Sequence, residues 1–337
     1  MSVRVRRRLA VRPKLLAAVV ALAAAAGLGT WHAVGPGNSS GGLAGLRIMV
    51  PNNPGGGYDV TARTSAKAME DVGAASGVEV FNLPGAAGGT VGLGRLAAEE
   101  GNGRLAMQMG LGVVGSVHAN SARVTLADTT PIARLLEEPD IIVVSSDSEY
   151  TDIAQMIDDW KADPGAVTVG GGSFPGGPDH LTPMLMAEAV GMDPKDVDYV
   201  PFDGGGELLA SVLGDKVTFG VSGIGEHIDQ VEAGRLRVLA VTGPERVAGV
   251  DAPTLREAGI DVEVTNWRGV VAPPGITDAD RRALIDAYTA MHGSPQWKAA
   301  LERNDWHDAF LTGDDFGAFM RQQTDRVDAV LEELGMA

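Results

Sequence analysis

Four stretches of bare backbone carry the chemistry this sequence has to offer. They are PNNPGGGYD (Pro51 to Asp59), NLPGAAGG (Asn82 to Gly89), GGGSFPGGPD (Gly170 to Asp179) and DGGGE (Asp203 to Glu207). A glycine loop that opens a helix presents unpaired N–H groups and the positive end of the helix dipole. Such a place holds an anion without any basic side chain. Glycine also lets the backbone approach a ligand closely. Among the side chains nearby, Tyr58 at the tip of the first loop is a ligand contact. Asp59 and Arg63, spaced i,i+4, form a helix pair that also orders the loop. His180 opens a helix, as a capped structural residue or as a donor to ligand. Ser173, Asp179 and His180 lie close together, but their spacing does not fix a nucleophilic relay. Glu207 and Glu226 have structural or orienting roles, and Trp267 belongs to the core.

The elements that must position these loops are legible around them. LRIMV (Leu46 to Val50), VEVF (Val78 to Phe81), AVTV (Ala166 to Val169) and VDYVPF (Val197 to Phe202) read as strands. Each is followed by a glycine loop and then by a run with helical spacing. Repeated strand–loop–helix units predict an α/β fold, and in open α/β sheets the ligand sits beyond the carboxyl ends of the strands. DIIVVSSDS (Asp140 to Ser148) reads as a strand crossing between two lobes, with LRVLAVTG (Leu236 to Gly243) as its return. Two amphipathic helices are expected near the C-terminus. The expected organisation is a segment at 1–34, a linker at 35–44, a discontinuous first lobe at 45–140 plus 244–337, and a second lobe at 141–243. The ligand cleft lies between the lobes.

Composition narrows the function. The chain has 337 residues, 45% of them hydrophobic, enough for a packed core. Arg4, Arg6, Arg7, Arg8, Arg12 and Lys14 precede an Ala-rich apolar run from Leu15 to Trp31, the pattern of a secretory signal or retained anchor. Removing those six leaves 21 of the 27 basic residues against all 44 acidic ones, a net of −23. A nucleic-acid binder needs a basic face, so that class is excluded. There is no cysteine, hence no disulfide and no thiolate chemistry. GxxxxGK[ST] and HExxH motifs are absent, Gly92-Leu93-Gly94 lacks the later glycine of a dinucleotide loop, and Gly220 to Ile224 fails the GxSxG pattern. No cofactor and no metal are expected.

PNNPGGGYDVTAR resembles the P-x-x-P-G-G-x-x-D-x-x-A-R start of the solute-binding receptors of tripartite tricarboxylate transporters, the Bug-type periplasmic binding proteins. NLPGAAGGTVG is similar to that family's N-x-P-G-A-x-G-x-x-G loop. GGGSFPGGPDHL and VPFDGGGELLASVLG resemble its later glycine segments. The stretch from LRVLAVTG to NWRGVVAPPGI is similar to its L-R-x-L-A-V-T…W-x-G-x-x-A-P-x-G run. The resemblance covers about residues 45–335. It implies a two-lobe hinged periplasmic-binding-protein (type II) α/β architecture. It also implies an exported, non-enzymatic monomer that takes a small carboxylate, a di- or tricarboxylate such as citrate. The implied partners are one large and one small integral membrane subunit. Carried over position by position, Gly56, Gly57, Tyr58 and Asp59 line the first lobe, and Asn82, Gly85, Ala86 and Gly88 add a second anion loop. Gly172, Ser173, His180, Gly204, Gly205 and Ser222 close from the other side. Two positions depart from the family pattern. Tyr58 replaces a small hydroxyl residue, and Asp203 replaces a lysine and so removes a cation. A ligand sensor for a signalling partner, or an exported hydrolase using Ser173 and His180, are the alternatives.

Overall fold

The structure is a computed structural model and describes residues 42–84 and 87–335. The basic and apolar leader, most of the linker, Gly85 and Ala86 lie outside the described residues. Along the chain come β1 (Leu43–Ala44), β2 (Arg47–Val50), α1 (Gly57–Asp71), β3 (Ala75–Ser76), β4 (Glu79–Asn82), α2 (Thr90–Ala97), β5 (Leu105–Gly110) and α3 (Leu111–Ala119). The middle holds β6 (Thr130–Ser145), α4 (Ile153–Ala162), β7 (Thr168–Gly171), α5 (Pro178–Ala189), β8 (Asp198–Pro201), α6 (Gly205–Leu213), β9 (Phe219–Gly223), α7 (Ile228–Glu232) and β10 (Leu236–Val241). There follow β11 (Thr265–Ala272), α8 (Asp278–His292), α9 (Pro295–Arg303), β12 (His307–Thr312) and α10 (Gly313–Glu333).

One ten-stranded sheet runs in the order β4-β2-β5-β11-β6-β9-β7-β8, with β10 and β12 also paired to β6. β2 is parallel to β4 and β5, and β7 is parallel to β8 and β9. β11 and β9 run antiparallel to β6. β6 serves both halves of the sheet: Thr130–Pro139 pair with β11, and the residues from Asp140 onward pair with β9 and β10. The strand expected at Asp140 to Ser148 is thus the second part of a longer one. Glu137, Glu138, Pro139 and Asp140 interrupt the apolar pattern and hide its first part.

Alternation along β2 explains why helices cover both faces. Ile48 and Val50 enter a cluster beneath α1, α8 and α9, while Met49 enters another beneath α2, α3 and α10. On α8, Leu284, Ala287, Tyr288 and Met291 supply the buried stripe at helical spacing. The C-terminal region holds three helices and a strand rather than two helices. Ser294 ends the first by accepting the Trp297 N–H at 3.1 Å, and Pro295 starts the next. Trp267 lies in the core as expected, edge-on to Phe316 and Phe319 at 5.9 and 5.1 Å.

A third cluster fastens α4 and α5 to the second half of β6. Trp160 is its largest member and meets Phe219 edge-on at 5.4 Å. Trp160→Ala is expected to lower the unfolding free energy by about 3–5 kcal/mol in chemical denaturation. A loss below about 1 kcal/mol would show that this half of the sheet does not depend on the ring.

Candidate ligand-binding site

A cavity of about 60 Å³ opens where the carboxyl ends of β2, β5, β7, β8 and β9 converge, the place an open α/β sheet offers to a ligand. Pro51 and Asn52 follow β2, Gly112 and Ser116 lie on α3, Gly172 and Ser173 follow β7, and Asp203 and Gly204 follow β8. Glu226 follows β9, and Asn266 and Arg268 come from β11. With one water taking about 10–15 Å³ on this measure, the space suits a short ligand.

Of the residues expected from sequence, Gly57, Tyr58, Gly88, Gly172, Ser173 and Gly204 line the cavity. Gly56 sits against Gly204, where a Cβ would stand 3.2 Å from the Gly56 Cα. Asp59 and Asn82 brace the first loop. Asp59 accepts from the Gly55 N–H at 2.9 Å, Asn82 Nδ2 at 2.9 Å and Arg63 Nε at 2.9 Å. Burial opposes its ionisation, yet the hydrogen bonds from Arg63, Gly55 and Asn82 hold its carboxyl below the usual range. Asn82 also donates to the Asn52 carbonyl at 3.1 Å.

His180 is 2% exposed, its Nδ1 accepts the Gly176 N–H at 3.1 Å, and its ring meets Tyr199 edge-on. Burial pushes its pKa down to about 4. Ser173 Oγ instead accepts the Asp179 N–H at 3.2 Å. Among the described residues no hydrogen bond joins Ser173 to His180. Ser222 is buried in β9, opposite Ile141 of β6.

Most of the glycine N–H groups in these loops already have acceptors inside the protein. Gly55 donates to Asp59, and Gly56 to the Asn53 carbonyl at 3.3 Å. Gly57 and Gly205 both donate to Glu226, the latter at 2.8 Å. Gly172 donates to the Asp179 carboxyl. The Tyr58 hydroxyl lies within reach of the Gly112 and Val113 N–H groups at the start of α3. The starts of α1, α3 and α6 are therefore occupied by the protein's own oxygen atoms.

Arg268, 1% exposed, ties these parts together. Its Nη1 donates to the Gly57 carbonyl at 3.0 Å and to Thr61 Oγ1 at 3.1 Å. Its Nη2 donates to Glu138 and, at 3.3 Å, to Glu226. Glu138 is fully buried and also accepts from Trp306 Nε1 at 2.9 Å and the Gly225 N–H at 3.2 Å. A Cβ on Gly57 would lie 2.0 Å from Arg268 Nη2, and one on Gly223 would lie 2.3 Å from Glu138 Oε1. Bare backbone is needed here to make room for the ion pair. Sequence reasoning passed over Arg268, Glu138 and Asp140. The available signal was a charge inside the otherwise apolar run NWRGVVA and acids flanking Pro139, because buried charges occur in partnership.

Glu138, Asp140, Asp179 and Glu226 surround that single guanidinium. Burial is the largest influence on each and raises all four pKa values. For Asp179, burial and then the Glu226 charge push the value up to about 8. This folded value lies above the unfolded value of 3.8, so the stabilisation is complete below the latter and lost as pH rises through about 8. Asp179→Asn keeps the shape without the charge. It is expected to raise stability at pH ~8 by more than about 1 kcal/mol and to change it little at pH ~4. Chemical denaturation at both pH values reads the difference, and an equal effect at both would reject charge as its cause.

The sequence profile described as the tripartite tricarboxylate transporter family receptor, TctC, matches residues 48–336. The chain is similar to the UPF0065 protein in the gbd 5' region of Cupriavidus necator, at 26% identity over 87% of this chain and 88% of that protein. It is similar to protein BugT of Bordetella pertussis, at 25% identity over 74% of this chain and 81% of that one. Among solved structures, the periplasmic binding protein BugD matches with a TM-score of 0.79 at 22% identity, covering 87% of this chain and 98% of its own. MatC from Rhodopseudomonas palustris with bound malate matches with a TM-score of 0.76 at 22% identity, covering 86% and 99%. An R. palustris protein with adipate gives 0.78 at 21% identity, covering 87% and 97%. These structural likenesses bear on the fold, which is that of the periplasmic binding proteins. The profile spans nearly all the described residues, and the chain belongs to the tripartite tricarboxylate transporter receptor family, whose members are periplasmic solute receptors.

Proposed function

We propose that this receptor captures a small carboxylate in the cavity and delivers it to a tripartite transporter with one large and one small integral membrane subunit. The carrying observation is the cavity at the strand ends, lined by residues of all four glycine loops, in a chain of this receptor family. The malate of MatC and the adipate of the second R. palustris protein support a short di- or tricarboxylate, the class to which citrate belongs. The basic and apolar leader supports export. Separate engagement of Ser173 and His180 supports binding without catalysis.

In this reading residues 45–140 plus 244–337 form one lobe, residues 141–243 form the other, and the ligand closes them together. Three contacts support closure. Gly115 of α3 lies so near the third loop that a Cβ there would stand 1.6 Å from the Gly176 carbonyl oxygen. Gly56 meets Gly204, and Asn53 Nδ2 donates to Glu207 Oε1 at 2.8 Å.

A ligand that binds only the folded protein adds about 2.7 kcal/mol of stability at a hundred times its Kd. Thermal unfolding against a panel of mono-, di- and tricarboxylates is expected to show a selective upward shift. No shift with any of them would remove the carboxylate reading. Gly115→Val is expected to wedge the closing contact, weakening the selected ligand by about tenfold or more in a variant that still melts cooperatively. Unchanged affinity in that variant would reject closure through this contact.

A further inference from the structure

We propose that the ligand carries a positively charged nitrogen as well as a carboxylate, and that Glu226 and Asp179 receive it. The cavity then selects a short amino-substituted carboxylate over a plain di- or tricarboxylate. This rests on the carboxylate reading above and narrows it.

The charges of the lining are lopsided. Among the described residues it holds the acids Asp179, Asp203 and Glu226, and one cation, Arg268. That cation is already matched by Glu138 and Glu226. Glu226 also occupies the starts of α1 and α6, and Asp179 occupies the Gly172 N–H. A second ligand carboxylate brought against these acids would meet like charge and find the helix N–H groups taken. An ammonium would meet two carboxyl acceptors, beside a guanidinium whose charge Glu138 and Glu226 already offset.

The two acids also converge. A Cβ on Gly172 would lie 3.1 Å from Asp179 Oδ2 and 3.1 Å from the Gly205 nitrogen, which itself donates to Glu226. Burial holds both pKa values up, and the Glu226 charge raises that of Asp179 further, so an arriving cation favours their ionisation.

A second observation points to a ligand at the same place. Asn266 Oδ1 and Ser116 Oγ line this cavity without hydrogen-bond partners, although their residues are only 6% and 1% exposed. Buried polar atoms are normally partnered. The Asn266 oxygen needs a donor, and an ammonium brings three. Ser116 lies beside the second loop, where a Cβ on Gly88 would stand 1.9 Å from its Oγ. A hydroxyl can donate to a carboxylate there. A neutral hydroxyl donor and a pair of acids, lining one cavity of about 60 Å³, fit a short zwitterion.

Matched probes test this on the purified protein by calorimetric titration: succinate against aspartate, glutarate against glutamate, propionate against β-alanine. In at least one pair the amino member is expected to bind about tenfold tighter or more. If plain acids bind as tightly as their amino partners or more so, the inference falls while the carboxylate reading stands. If neither member of any pair binds, nor any other carboxylate in the thermal panel, the carboxylate reading fails and takes the inference with it. Glu226→Gln and Asp179→Asn should each cut the amino preference by about tenfold. An unchanged preference in a variant that melts cooperatively overturns the assigned role. Should Glu226→Gln not fold, Asp179→Asn decides alone.

Discussion

Arg268 places a full charge almost entirely out of water, and the arrangement of the cleft follows from pairing it. Its guanidinium touches the start of α1 through Gly57 and Thr61, β6 through Glu138, and the segment after β9 through Glu226. Glu138 extends the connection to Trp306, between α9 and β12. Five separate parts of the chain therefore meet at one ion pair. Taking such charges out of water costs about as much as their attraction returns, so the pair is a weak source of stability. Its consequence is positional. Removing Arg268 would leave Glu138 and Glu226 buried without a counter-charge, so the pair sets how these segments meet around the cavity.

The same constraint explains what the glycines are for. A loop that opens a helix is an anion site by default, and this protein fills several such sites itself. Glu226 takes the starts of α1 and α6, Tyr58 that of α3, and Asp59 the N–H of Gly55. Gly57 and Gly223 are bare because side chains there would collide with Arg268 and Glu138. An excess of buried carboxyls remains once Arg268 has been matched. Groups kept in such a state lower stability near neutral pH, a recurrent property of sites shaped for function rather than for packing.

Much of the fold was legible because its signals are local. A β-branched run, a glycine loop and a helical stripe occupy about 25 residues and need no distant partner to be recognised. The order of several such units carried the family resemblance. Elements whose identity depends on context were less legible. The first half of β6 contains Glu137, Glu138 and Pro139, and it forms a strand because β11 and β12 pair with it. β12 likewise emerges between two helices and pairs with the same strand.

The candidate site divides along the same line. By itself, the sequence determined an α/β chain with glycine loops at its strand ends, an Asp59–Arg63 brace and an acidic body behind a basic leader. Tertiary structure decided which acceptor each loop N–H meets. Gly57 and Arg268 are 211 residues apart, and Glu138 and Arg268 are 130 apart. Backbone propensity acts over a few neighbouring residues, whereas pairing of buried charges is settled by which strands lie side by side in the sheet. The sequence thus reveals where an anion could bind. Only the packed sheet, by bringing Glu226 and Asp179 to those positions, shows that carboxylates of the protein already stand there.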